Sequence, residues 1–267
     1  MQASLPMYDL PEVRDATDAW WAGIARHAGL AGLPSALVRP DEPMTVWTAP
    51  DLLFAQTCGY PLSFALAGRV RYLATPCYRA EGCSGPLYRS AIVVREDAAF
   101  ASFADTRGAA VVINGHDSQS GCNVLRLMAA EASGERPFFG SIRVSGGHVA
   151  SLAAVKDGQA DLAAIDCATL SLVRRHRPAA LAGLRVLAWS PSAPALPYIT
   201  GLAVPEEVQA ALLRGLRAAA ADPQLAGIRD RLLIEDIAVL DPAVYQVIPG
   251  MRRRAEALGL VELSEPG

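Results

Sequence analysis

The sequence predicts an α/β protein of two lobes, and three features carry that expectation. Short Val-, Ile- and Ala-rich runs alternate with helical patterns of about 10–15 residues, the signature of sheets with parallel strands covered on both faces. A middle block, residues 91–188, contains three strand-to-helix turns in succession. Turn-rich segments flank it near Tyr88–Ala91 and Trp189–Pro197. The expected organisation is a discontinuous first lobe, 1–90 plus 189–267, and a second lobe, 91–188. The cleft between them is the default ligand site.

Taken in order, "ASLPMY" (3–8) reads as a first strand, and Pro11 opens a helix to about Ala28, since proline is tolerated at the first helical position. "SALVRP" and "MTVWTA" read as strands, as does "DLLFAQ" (51–56) before the turn "TCGYP". "VRYLATPCY" and "LYRSAIVVR" read as a strand pair. A short helix at 98–104 precedes the strand "AAVVI" and a polar turn, "NGHDSQSG". A helix to about Ala132 follows. "GSIRVSGG" leads into a helix at 148–157, and "ADLAAI" (160–165) into one at 166–176. "LRVLAW" is a strand, and the tail is helical over 205–221, 223–232 and 241–258.

Of the 267 residues, 52% are hydrophobic and 19% charged, which suits a well-packed soluble protein of one or two domains. A net charge of −3 gives no support to nucleic-acid binding. No run is long and apolar enough to predict a membrane span. The N-terminus lacks the basic and apolar regions of a signal peptide. The expected location is therefore the cytoplasm, or the periplasm if a leader has been removed. The five cysteines form no CxxC pair. Cys77 and Cys83 bracket a short loop and are the one local disulfide candidate; Cys122 and Cys167 read as buried thiols. No spacing announces a metal site, and no cofactor is implied.

In open α/β sheets, ligands bind beyond the carboxyl ends of strands. The first middle turn puts Ser118, Gln119, Ser120 and Gly121 there. A helix start exposes backbone N–H groups and favours an anion. The serines either cap the helix or turn toward a ligand. In the second turn, Ser145 and two glycines precede His148, a donor to an anionic oxygen or a half-buried surface histidine. A helix N-terminus lowers an imidazole pKa, so a neutral ring is as plausible as a cation. In the third, Asp166 either caps the next helix or accepts from a protonated ligand group. Asp161, inside the strand, reads as structural. The first lobe offers Tyr8, Thr57 and Tyr60 at strand ends, and Tyr88 and Ser90 lie near a crossing. Tyrosines pack on a ligand face and still donate one hydrogen bond.

The runs "YRSAIVVRED", "DTRGAAVVINGHDSQSG" and "GSIRVSGGHVASLAAVKDGQADLAAIDCATL", in this order and spacing, resemble the phosphate/phosphite/phosphonate-binding proteins of ABC transport systems. The resemblance covers roughly residues 45–205. It implies a type II periplasmic binding protein fold, a small anionic ligand and, if the chain is exported, an ABC permease as partner. It assigns the phosphorus-linked oxygens to Ser118, Ser120, the N–H groups near Gly121, and His148. Asp166 takes the ligand's protonated end, and Tyr60 or Tyr8 closes over it. The chain departs from the family in reading Asp117-Ser118-Gln119-Ser120 where Ser-Thr-Ser is usual. It has no acid in "SPSAPALPYIT", where aminoalkylphosphonate binders carry a second carboxylate.

The resulting expectation is a non-catalytic binder of phosphate, phosphite or a phosphonate. The alternatives are an enzyme on the same fold, acting on a menaquinone- or thiamine-precursor-like metabolite, and a cytosolic sensor. An arginine clamp through Arg69, Arg71, Arg79 or Arg89 competes with neutral donors as the means of holding the anion.

Overall fold

The computed structural model describes residues 1–132, 137–260 and 263. The chain forms two compact units: Met1–Arg79, Cys83–Leu87 and Pro194–Val244 in the first, and Ala80–Gly82, Tyr88–Ala193 and the chain from Tyr245 onward in the second. This corrects the expected boundaries at the C-terminal end, where all of 189–267 was assigned to the first lobe. The physical reason is the burial of a late helix. Ala255, Leu260 and Leu263 join the core of the second unit with Val124, Leu125 and Phe138.

The first unit contains strands β1 (Gln2–Ser4), β2 (Leu52–Gln56), β3 (Val70–Tyr78), β11 (Tyr198–Gly201) and β12 (Ile234–Ala238), in the order β1-β2-β11-β3-β12. Only β1 and β2 are parallel; β11 runs antiparallel to β2 and β3, and β12 antiparallel to β3. Its helices are α1 (Arg14–Ala28), α2 (Met44–Trp47), α3 (Gly59–Ser63), α7 (Glu206–Ala221) and α8 (Ala226–Arg231). Two short strands, β4 (Leu87–Tyr88) and β10 (Ala193–Pro194), mark where the chain passes from one unit to the other.

The second unit holds β5 (Ser90–Arg95), β6 (Ala110–Ile113), β7 (Ser141–Val144), β8 (Leu162–Asp166) and β9 (Leu184–Trp189), in the order β7-β6-β8-β5-β9. Its helices are α4 (Val124–Ala132), α5 (His148–Lys156), α6 (Cys167–His176) and α9 (Val247–Ala257). Here β6 is parallel to β7 and β8, while β5 is antiparallel to β8 and β9.

Both sheets are thus mixed, where the alternating pattern predicts parallel ones. In each unit a strand entered soon after a chain crossing, β5 or β11, runs against its neighbours. The expected pairing of 70–78 with 87–95 also fails, because β3 and β5 lie in different sheets. "MTVWTA" forms α2 instead of a strand: Val46 and Trp47 are buried, and Trp47 Nε1 donates to the Gln56 carbonyl at 3.0 Å. Tertiary packing outweighs β propensity there. "SALVRP" forms no strand, and β12 was not anticipated. None of the five cysteines, all described residues, is in a disulfide, so the Cys77–Cys83 candidate is not bonded.

Candidate functional site

The C-terminal edge of β6 and β8 gathers the polar groups of the second unit. The apolar strand β6 ends at Ile113, and Asn114 is the first polar side chain beyond it. The chain turns through His116 and Asp117, both exposed, and re-enters a helix at Ser118. That helix opens as a π-turn, Gln119–Asn123, and continues directly into α4. Ser118 is its N-cap: the hydroxyl accepts from Gly121 N at 3.0 Å, and the Ser118 carbonyl accepts from Asn123 N. The hydroxyl proton remains available as a donor. The Gln119 and Ser120 N–H groups precede any acceptor inside the helix, as at every helix start.

A network fixes this opening turn. Gln119 Oε1 accepts from Asn123 Nδ2, Gln119 Nε2 points to Met251 Sδ at 3.2 Å, and Asn123 Nδ2 also donates to the Ile248 carbonyl. Arg126 Nη1 donates to Asn123 Oδ1. Gln119 is therefore fully buried and turned toward α9, a bracing residue. π-turns cluster at functional sites because the extra residue re-aims neighbouring side chains. Here the neighbours are the two serines.

Ser120 Oγ lies 2.8 Å from His148 Nε2. His148 opens α5, behind a turn in which Gly146 has φ +85. Ser145 braces that turn: its hydroxyl donates toward the Gly147 carbonyl at 3.0 Å and pairs with Ser151 Oγ at 2.7 Å. The histidine residue is half-buried, and its Nδ1 is shielded from solvent. Desolvation pulls the imidazole from 6.5 to about 4, with a smaller opposing effect of the Ala164 backbone. The ring is neutral at pH 7. Because the folded value lies below the unfolded one, its contribution to stability is complete above about 6.5. It is lost as the pH falls from there toward 4.

Gly121 lies under both side chains. A Cβ built on it would sit 1.8 Å from Asn114 Oδ1 and 3.2 Å from His148 Cε1. Overpacking of this kind costs about 1–3 kcal/mol. Gly121→Ala is therefore expected to lower the thermal midpoint and displace the Asn114 amide. An unchanged midpoint by calorimetry would show that the amide relaxes without cost.

On the other side of β8, Ser90 is the register partner of Asp166. Both are buried, and Ser90 Oγ has no hydrogen-bond partner. Asp166 is the N-cap of α6: Oδ1 accepts from Ala168 N at 2.8 Å and Thr169 N at 3.0 Å. Asp161 accepts from Ala110 N at 2.8 Å, a structural contact as its strand position suggested.

The remaining expected residues lie outside β6, β8 and the helix starts beyond them. Tyr88 is buried in β4. In the first unit, Tyr8 meets Tyr78 edge-on at 5.0 Å and lines a cavity of about 20 Å³ with Gln56 and Tyr198. Thr57 is buried, with its N–H donated to the Pro197 carbonyl. Tyr60 is buried against Phe64 at 4.4 Å. No group of His, Cys, Asp or Glu among the described residues could hold a metal ion, and no described helix is long and apolar enough to cross a membrane.

Residues 50–245 match the family described as "ABC transporter, phosphonate, periplasmic substrate-binding protein". No curated protein resembles the chain closely enough to match. Among solved structures, the binding protein component of an ABC phosphonate transporter from Pseudomonas aeruginosa has a TM-score of 0.78 at 14% identity, covering 97% of this chain and 87% of its own. PhnD1 from Prochlorococcus marinus, in complex with methylphosphonate, has 0.76 at 13% identity, covering 96% and 98%. XAC2383 from Xanthomonas citri, bound to ATP, has 0.70 at 14%, covering 96% and 97%. At these identities the likeness establishes the fold, that of the two-lobe periplasmic binding proteins.

Proposed function

The chain belongs to the phosphonate periplasmic substrate-binding family of ABC transporters, and we propose on that premise that it binds a small phosphorus oxyanion without turning it over. The ligand class is phosphate, phosphite or an alkylphosphonate. The observation that carries the reading is the helix start beyond β6, where the Ser118 and Ser120 hydroxyls and the first backbone N–H groups stand beside His148, with Ser120 Oγ 2.8 Å from His148 Nε2. A helix start with such donors favours an anion.

Neutral donors suit this edge. Ser120 Oγ and His148 Nε2 share one hydrogen bond of 2.8 Å, so each side chain positions the other beside the helix start. Ser118 O–H and the first N–H groups of the helix add to them, in the field of the helix dipole. Dipoles held by packing stabilise an anion without the reorganisation that a flexible cation requires. The non-catalytic part of the proposal follows the family, whose members are substrate-binding components of ABC transporters. Delivery to an ABC permease from the periplasm completes the proposal.

The test is isothermal titration with phosphate, phosphite and methylphosphonate, followed by phosphorus NMR of the mixture. One-to-one binding of at least one ligand, recovered unchanged, is expected. No binding by any of the three, or conversion of the bound compound, overturns the reading.

A further inference from the structure

We propose that Asn114 is a ligand-binding residue, donating an N–H of its side-chain amide to the oxyanion. This inference rests on the oxyanion reading above and adds a residue that lies outside the serine–histidine pair. Asn114 follows β6 directly and stands over the start of the π-turn. Its Oδ1 is buried without a hydrogen-bond partner, packed where a Cβ on residue 121 would be.

That packing fixes which end of the amide faces where. Gly121 presents a Cα–H to the amide, which an oxygen accepts as a weak contact. An NH₂ in the same place would set hydrogen against hydrogen. With Oδ1 held there, the planar amide turns Nδ2 away from Gly121. His148 Cε1 approaches the same point on Gly121, and His148 Nε2 meets Ser120 Oγ. The amide, the imidazole edge and the serine hydroxyl therefore surround one glycine backbone. A glycine at position 121 is what makes room for the amide.

The expected pattern follows from the chemistry of the amide. Asn114→Leu keeps the size and removes the donor, so methylphosphonate and inorganic phosphate should each bind about 10- to 100-fold more weakly. Asn114→Asp replaces the donor by a like charge, so the loss should exceed that of the leucine variant. The thermal midpoint without ligand is measured for both, because a purely structural asparagine predicts the opposite pattern: a lower midpoint and an unchanged dissociation constant in the folded protein. That pattern, or parent-like binding by the leucine variant, overturns the proposal while leaving the oxyanion reading intact. If the parent itself binds neither methylphosphonate nor phosphate, the reading fails and the Asn114 assignment falls with it.

Discussion

Replacing Ser120 and His148 together by alanine is expected to abolish oxyanion binding while the protein stays folded. The two side chains share one hydrogen bond of 2.8 Å, so each holds the other in place. A hydrogen bond to a charged group contributes about 1.5–3 kcal/mol, so each single variant should lose roughly 10- to 100-fold in affinity. The singles are coupled, however. Removing His148 leaves Ser120 free to rotate away from the anion, and removing Ser120 leaves Nε2 without its partner. Groups that act as a unit give non-additive losses. The double variant is therefore expected near the limit of detection, yet short of the sum of the singles. Titration of the parent, both singles and the double with the tightest of phosphate, phosphite and methylphosphonate provides the check. Parent-like binding by the double variant, with binding lost instead on substitution of Arg69, Arg71, Arg79 or Arg89, would establish the arginine clamp.

The sequence exposed the middle of this site better than its edges. That Ser118, Ser120, Gly121 and His148 stand together was legible because a strand, a polar turn and a helix recur with a spacing that puts turn residues beyond strand ends. Gln119 and Ser145 sit in the same turns and read identically in one dimension. Their side chains instead brace the π-turn against α9 and the 145–147 turn against Ser151, long-range and local packing that no spacing encodes. Asn114 was overlooked for the opposite reason. It reads as an ordinary strand-terminating residue, and its contact with Gly121 depends on a π-turn that residue pattern does not announce. The one available signal was a polar residue immediately following a fully buried strand end.

The architecture divides similarly. Strand and helix periodicity located most elements of the second unit, where buried strands alternate with amphipathic helices. Direction and partnership were harder. Nothing within "SAIVVR" states that β5 runs antiparallel to β8, since a strand buried on both faces reads the same either way. The assignment of α9 to the second unit depends on Ile248 and Met251 meeting Asn123 and Gln119, more than a hundred residues earlier.

Phe54→Ala is expected to cost the first unit about 3–5 kcal/mol, the range for deleting a fully buried phenylalanine. The side chain lies in β2 with no exposed surface. It is stacked between Trp21 and Tyr198, each at 5.2 Å between ring centroids and within about 26° of parallel. Collapse into the vacated space is resisted from both sides. Trp21 Nε1 is tied to the Pro34 carbonyl at 2.8 Å, and Tyr198 OH accepts from Trp20 Nε1 at 3.1 Å. Moving either ring inward breaks a hydrogen bond, buried at Tyr198 and partly buried at Trp21, so much of the cavity should persist. Against a typical domain stability of about 5–15 kcal/mol, the loss is a large fraction of the total. Urea titration followed by tryptophan fluorescence is suited to the measurement, because Trp20, Trp21 and Trp47 all lie in the first unit and only Trp189 in the second. A midpoint shifted to lower urea with the slope retained is the expected signature. Phe54→Leu should recover much of the loss. A cost below about 1 kcal/mol for the alanine variant would mean that the Trp21–Phe54–Tyr198 stack closes over the gap and is not held apart by its two hydrogen bonds.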